Sequence, residues 1–203
     1  MAEPGREPVD RDKRTTLRRF AALGAASPLA AFVGSSSESD ARSAIAGYVS
    51  STPGAHFSKI RDDLSLGTGE TQHHLRRLVD AGAIESHMDG EYRRYFPEGR
   101  FSAFERRALG YLRRETPRGM LIALLSEPTT TGSAIAERLD VSTATVSNTA
   151  ADLEEAGLLA RNEGYAIERP ETLISLLVRY ADSFDERTVR FASRADELIR
   201  YDP

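Results

Sequence analysis

The chain has 203 residues, 40% of them hydrophobic and 29% charged, enough for one large or two small globular domains with a buried core. Its 31 acidic and 27 basic side chains give a net charge of −4 and a pI near 5.7, which excludes a basic coat over the whole surface as a means of holding nucleic acid. Any such contact needs a local patch. There is no cysteine, so disulfides, thiolate chemistry and cysteine-ligated zinc are excluded.

Residues 1–14 are polar, charged and interrupted by Pro and Gly, the composition of a mobile tail. Residues 15–34 combine Arg18-Arg19 with a weakly apolar, Ala-rich run. They resemble a twin-arginine export signal imperfectly, because Phe20 follows Arg19 directly and no clean Ala-x-Ala site precedes Ser35. The run is short of the roughly 20 apolar residues that span a bilayer. An Ala-rich helix that docks on a folded domain or a partner is the favoured reading, with export or anchoring as the alternative, and a cytoplasmic location follows from the first. The first domain is expected over 40–99, a linker helix over 100–116, the second domain over 117–169 and C-terminal helices over 170–203.

Asp40 is a good N-cap, and Ala41, Ile45 and Val49 recur four apart on one helix face. Pro53-Gly54 ends that helix, residues 55–57 form a short extended piece, and Ser58 is expected to cap a second helix with Ile60 and Leu64 inward. Leu66-Gly67 turns the chain into a third helix from Thr68, in which Thr71, His74, Leu75, Leu78 and Val79 face a core and Gly82 stops the run. Gly69, Glu70, Gln72, His73, Arg76 and Arg77 fall on the outer side. An amide, an imidazole and two guanidiniums are groups that bond base edges and phosphates in a major groove. Asp89-Gly90 between two extended runs signals a hairpin, and this wing carries Arg93 and Arg94, one or both of which reach phosphate or the minor groove. Helix, short strand, helix, turn, helix, wing is the order of a winged helix-turn-helix.

Residues 102–126 read as two helices meeting at Pro117, expected at the first helical position. A shift of 75 residues then lays Ser58 on Ser133, Ile60 on Ile135, Leu64 on Leu139, Thr68 on Thr143, Leu78 on Leu153 and Gly82 on Gly157, with Asn162-Glu163-Gly164 in place of the wing turn. Matching core stripe, helix stop and hairpin identify two copies of one unit. The expected fold is therefore mainly α with small β-hairpin wings, two winged helix-turn-helix domains in tandem. Beyond them, Pro170 opens a helix with Leu173, Leu176, Leu177 and Tyr180 as its stripe, and a last helix is expected over 183–201. This pair either makes a homodimer contact or folds back on the second domain.

Residues 142–159 resemble the recognition-helix signature of MarR/ArsR-type winged-helix regulators. Residues 53–60, with 72–78 and 92–97, resemble the archaeal, notably haloarchaeal, tandem winged-helix family, a similarity that runs from Asp40 to the C-terminus. The arginine-rich, acidic composition resembles that of salt-adapted proteins. The resemblance implies transcriptional regulation through double-stranded DNA. Where the first third helix offers Gln72, His73, Arg76 and Arg77, the second offers Ser147, Asn148, Ala151 and Asp152, so direct readout is expected of the first copy. Thr143, Ser147 and Asn148 are left for weaker DNA contact, or the second domain binds the transcription machinery or another protein. His56, His73 and His87 have no metal-ligand spacing, and no phosphate loop or nucleophile-base pair is visible, so neither metal, cofactor nor catalysis is expected. A non-catalytic protein-interaction scaffold is the rival reading.

Overall fold

In the computed structural model, described for residues 19–20, 37–162 and 164–195, the chain divides into two compact units, Met1–Arg100 and Phe101–Pro203. Unit 1 is built from α1 (Ser37–Ser51), β1 (Ala55–His56), α2 (Phe57–Asp63), α3 (Thr68–Asp80), β2 (Ile84–Asp89) and β3 (Tyr92–Pro97). Unit 2 holds α4 (Ala103–Leu112), α5 (Glu115–Ser126), α6 (Gly132–Leu139), α7 (Thr143–Glu155), β4 (Leu159–Arg161), β5 (Tyr165–Ile167), α8 (Pro170–Arg179), a 3-10 turn (Ala181–Ser183) and α9 (Glu186–Ala192).

In unit 1, α1 is the central helix. Ala41, Ile45 and Val49 are buried as their spacing requires, and Ala44, Ala46 and Tyr48 join them, so the helix is enclosed on more than one side. It opens at Ser37 and not at Asp40, because Ser, Glu and Asp are tolerated in a first turn, where negative charge also suits the helix dipole. Most of the Ala-rich run at 15–34 lies outside the described residues. Arg19 and Phe20 within it are helical, and Phe20 sets its ring edge against Tyr48 at 5.1 Å.

α2 begins two residues earlier than its sequence suggests. His56, not Ser58, caps it, its Nδ1 accepting the Lys59 amide at 3.3 Å. The cause is tertiary: β1 pairs antiparallel with β3, Ala55 opposite Tyr95 and His56 opposite Arg94, which holds residue 56 extended and leaves the helix to start immediately after it. The sheet order β1-β3-β2 makes β3 the central strand. Asp89 pairs with Tyr92, so the two-residue turn is Gly90-Glu91, one position beyond the expected Asp89-Gly90. Gly90 has φ 59, the positive value that the first position of such a turn demands.

Unit 2 repeats the plan at the predicted offset. Both α3 and α7 have 13 residues and begin at Thr68 and Thr143. Both are followed by a glycine with positive φ, 64 at Gly82 and 67 at Gly157, and a strand starts two residues later at Ile84 and Leu159. The turn before each is also shared: Ser65 and Asp140, neither a glycine, both adopt left-handed backbone at φ 52 and 55. The aligned cap of α6 is Thr131 and not Ser133, its hydroxyl accepting the Ala134 amide at 3.2 Å. α5 is buried over nine consecutive residues, Pro117 to Leu125, as befits a helix enclosed by its neighbours. Pro117 stands third in this helix instead of first, which costs nothing because the first three helical amides have no intrahelical acceptor.

α8 and α9 fold back onto unit 2. Leu173, Leu176, Leu177 and Tyr180 of the α8 stripe are buried, and α8 packs on α4 while α9 packs on α5. The last helix is shorter than expected: α9 spans Glu186–Ala192, behind a 3-10 turn, while Leu198 and Ile199 lie outside the described residues. Asp185 caps α9 and fixes it to α5. Partial burial works against its charge but is outweighed by hydrogen bonds from the Arg118 guanidinium at 2.7 Å and from the Thr188 hydroxyl and amide, which bring its carboxyl down to about 2. No helix among the described residues is long and apolar enough to cross a membrane.

Candidate nucleic-acid interface

The amphipathic division of α3 is complete. Thr71, His74, Leu75 and Leu78 are buried, Val79 is half-buried, and Thr68, Gly69, Glu70, Gln72, His73, Arg76 and Arg77 are exposed. One turn of the exposed face is committed to the fold: Glu70 accepts the Gly67 amide at 3.3 Å, closing the helix start. The exposed amides of the first turn, with the positive end of the helix dipole, favour an anion there.

Strand alternation decides the two wing arginines. Consecutive residues of β3 point to opposite faces, so Arg93 and Arg94 cannot share a direction. Arg93 shares a face with Ser86, Met88 and Tyr95 and is exposed. It meets α3 across a hollow of about 600 Å³ lined also by Thr68, Gln72, Arg76 and Asp80. Arg94 is 3% exposed, ion-paired to Asp89, hydrogen-bonded through Nη1 to the Gly54 carbonyl at 3.0 Å, and 5.7 Å from the Tyr92 ring centre. The expectation that Arg94 reaches DNA is thereby corrected. It is a structural guanidinium that ties the wing to the end of α1.

Arg76, Arg77 and Arg93 make no ion pair with a described residue. The hollow between α3 and the wing thus holds two guanidiniums, Arg76 and Arg93, that no described carboxylate pairs with, beside the Gln72 amide and the Asp80 carboxylate, while Arg77 is exposed on α3. Met88 and Tyr92, 63% and 50% exposed on the wing, were not among the expected contact residues. Their signal was present in the alternation of the strands, since a large apolar residue next to a tight turn has no core to enter.

Unit 2 presents a different surface. Thr143, Ser147 and Asn148 are exposed on α7 as expected, but this helix bears no basic residue. Its wing cation is occupied: Arg161 pairs with Glu154 of α7 at 2.7 Å. Of the histidines outside α3, His56 caps α2 and His87 Nε2 lies 2.9 Å from Glu85. Among the described residues no group of three or more metal-ligating side chains comes together.

Residues 39–109 match a family model described as an N-terminal helix-turn-helix domain, and residues 119–168 match one described as a helix-turn-helix domain. No curated protein matches the chain. The fold and these two matches make the chain a DNA-binding protein of the helix-turn-helix type, mainly helical with small antiparallel hairpins and two such domains in tandem.

Proposed function

We propose that this chain is a transcriptional regulator that reads double-stranded DNA with unit 1, α3 lying in the major groove and the β2–β3 wing beside it. The observation that carries the reading is the convergence of Arg76 and Arg93 on one hollow while neither makes an ion pair with a described carboxylate, in a chain whose net charge is −4. An acidic protein gains from leaving guanidiniums uncompensated only where an anion arrives, and a phosphate backbone between helix and wing is such an anion. Gln72 stands where its amide can bond an adenine edge in two places; Arg76 or Arg77 serves guanine or phosphate. Thr68 and Gly69 offer amides to phosphate, His73 a ring nitrogen, and Met88 beside Arg93 an apolar contact in the minor groove. A homodimer fits the two-fold symmetry of regulatory DNA sites, and the protein works where that DNA is, in the cytoplasm.

Unit 2 supports a second reading of its own part. With a helix free of basic residues and a wing arginine held by Glu154, it is suited to a protein partner such as the transcription machinery, with Thr143, Ser147 and Asn148 adding at most weak DNA contact. The test is fluorescence anisotropy on the protein's own upstream DNA across a salt series, with Arg76→Ala/Arg77→Ala alongside. The expected result is selective binding whose log-log salt slope flattens by roughly one to two units in the variant. Unchanged binding by the variant returns the protein to the scaffold reading.

A further inference from the structure

Unit 2 contains a hollow of about 470 Å³ that the DNA reading does not use. Its floor is one stripe of α5, Gly119, Ile122 and Ala123, with Phe191 of α9. Its rim is cationic: Arg138 from the last turn of α6, Arg187 and Arg190 from α9, and Arg194 just beyond. Gly119 leaves room for two neighbours. A Cβ there would come within 2.6 Å of a Leu139 methyl and 3.0 Å of Arg187 Nη1, so the ends of both side chains would have to shift.

Like charges gathered around one concavity repel each other, and among the described residues those of Arg138 and Arg187 have little to offset them. Arg138 and Arg187 make no ion pair with a described residue, and Glu186 approaches Arg190 only at 3.5 Å, with both side chains largely in solvent, where such a contact contributes little. A size within the range of small-molecule sites, an apolar floor and a convergent cationic rim define a ligand with two parts. We infer that this hollow binds a small organic anion, a carboxylate or phosphate held by Arg138 and Arg187, whose ring-sized apolar body rests on Ile122 and Phe191. Guanidiniums suit both anions through paired N–H donors. A DNA backbone is a poorer occupant, because its phosphates cannot carry an apolar group down to the floor. Such a site gives the DNA-binding chain a place for a soluble effector, and its existence does not depend on which unit reads DNA.

The probe is phenyl phosphate, titrated calorimetrically into the full chain without DNA, beside inorganic phosphate and phenol as its two halves. The expected result is one saturable site per chain for phenyl phosphate, about tenfold or more tighter than for either half, and a comparable weakening in Arg138→Gln/Arg187→Gln with the thermal midpoint of the free variant unchanged. Three results overturn the inference. They are no saturable binding at millimolar probe, equal binding of inorganic phosphate, and unchanged affinity in the variant. If the variant instead loses DNA affinity while phenyl phosphate binds neither form, the arginines contact the DNA backbone and the effector site does not exist.

Discussion

Arg93 and Arg94 are neighbours in sequence with opposite fates, and the difference is a matter of strand geometry. The pleat sends one guanidinium to the α3 side of the wing and the other inward, where the Asp89 carboxylate and the Gly54 carbonyl satisfy it. Asp89 is itself partly exposed, so removing Arg94 strands no fully buried charge and instead loses its hydrogen bonds and packing, a cost of about 1 to 3 kcal/mol. Arg94→Ala is thus expected to lower the stability of unit 1 by about that amount in denaturant unfolding. Arg93→Ala should leave unfolding within about 0.5 kcal/mol of the parent while weakening DNA binding and taking about one unit from the salt slope. The reverse pattern would mean that the wing faces have been assigned the wrong way round.

His56 adds a pH dependence at the same scale. Burial first, then the charges of Arg94 and Lys59, hold its pKa below the ordinary histidine value, and its Nδ1 can accept the Lys59 amide only while unprotonated. Because the folded form resists protonation and the unfolded chain does not, this group's contribution to stability is complete above about 6.5 and is lost as pH falls from there through the lowered folded value. Unfolding midpoints of the parent should decline between pH 7 and pH 5 more steeply than those of His56→Asn, which retains a capping side chain without the titration. Parallel curves would remove His56 from the account.

At the scale of elements, the third helix of each unit is delimited by the same two devices, a left-handed residue before it and a glycine after it. Gly82 at φ 64 has open space where a Cβ would stand, so Gly82→Ala meets backbone strain alone. A cost of roughly 1 to 2 kcal/mol is expected, with the same for Gly157→Ala at φ 67, read from chemical denaturation. A much smaller loss at Gly82 would show that α3 can end elsewhere, and the placement of Arg76 and Arg77 relative to the wing would then be less constrained than it is here.

Across the whole molecule, charge is divided by role. Among the described residues, Arg76, Arg77 and Arg93 of unit 1 make no ion pair, whereas unit 2 pairs its wing arginine and collects others around a hollow. Each unit closes its own core, with Ile45, Ile60, Leu75 and Ile84 in the first and Leu109, Met120, Ile135 and Leu153 in the second. A fragment of residues 37–100 is therefore expected to unfold cooperatively by itself and to retain salt-dependent DNA binding, while a fragment of residues 101–203 shows little. Binding by the second fragment alone would transfer the reading role to α7.

The sequence by itself determined the tandem plan and the two faces of α3. Both rest on local periodicity: a 75-residue repeat and a spacing of three and four are present in the chain whatever it folds against, and the buried set Thr71, His74, Leu75 and Leu78 follows from that spacing. The cap of α2, the turn register of the wing, the inward course of Arg94 and the fold-back of α8 and α9 were decided by tertiary structure. His56 is held by pairing with β3, the turn by the register of β2 on β3, and Arg94 by a carbonyl 40 residues away. The opposite directions of Arg93 and Arg94 could have been read from strand period alone, but which of them faces α3 could not. The cationic hollow of unit 2 was invisible for a stronger reason. Gly119, Arg138 and Arg187 come from three helices far apart in the chain, and only packing brings their charge and shape to one place.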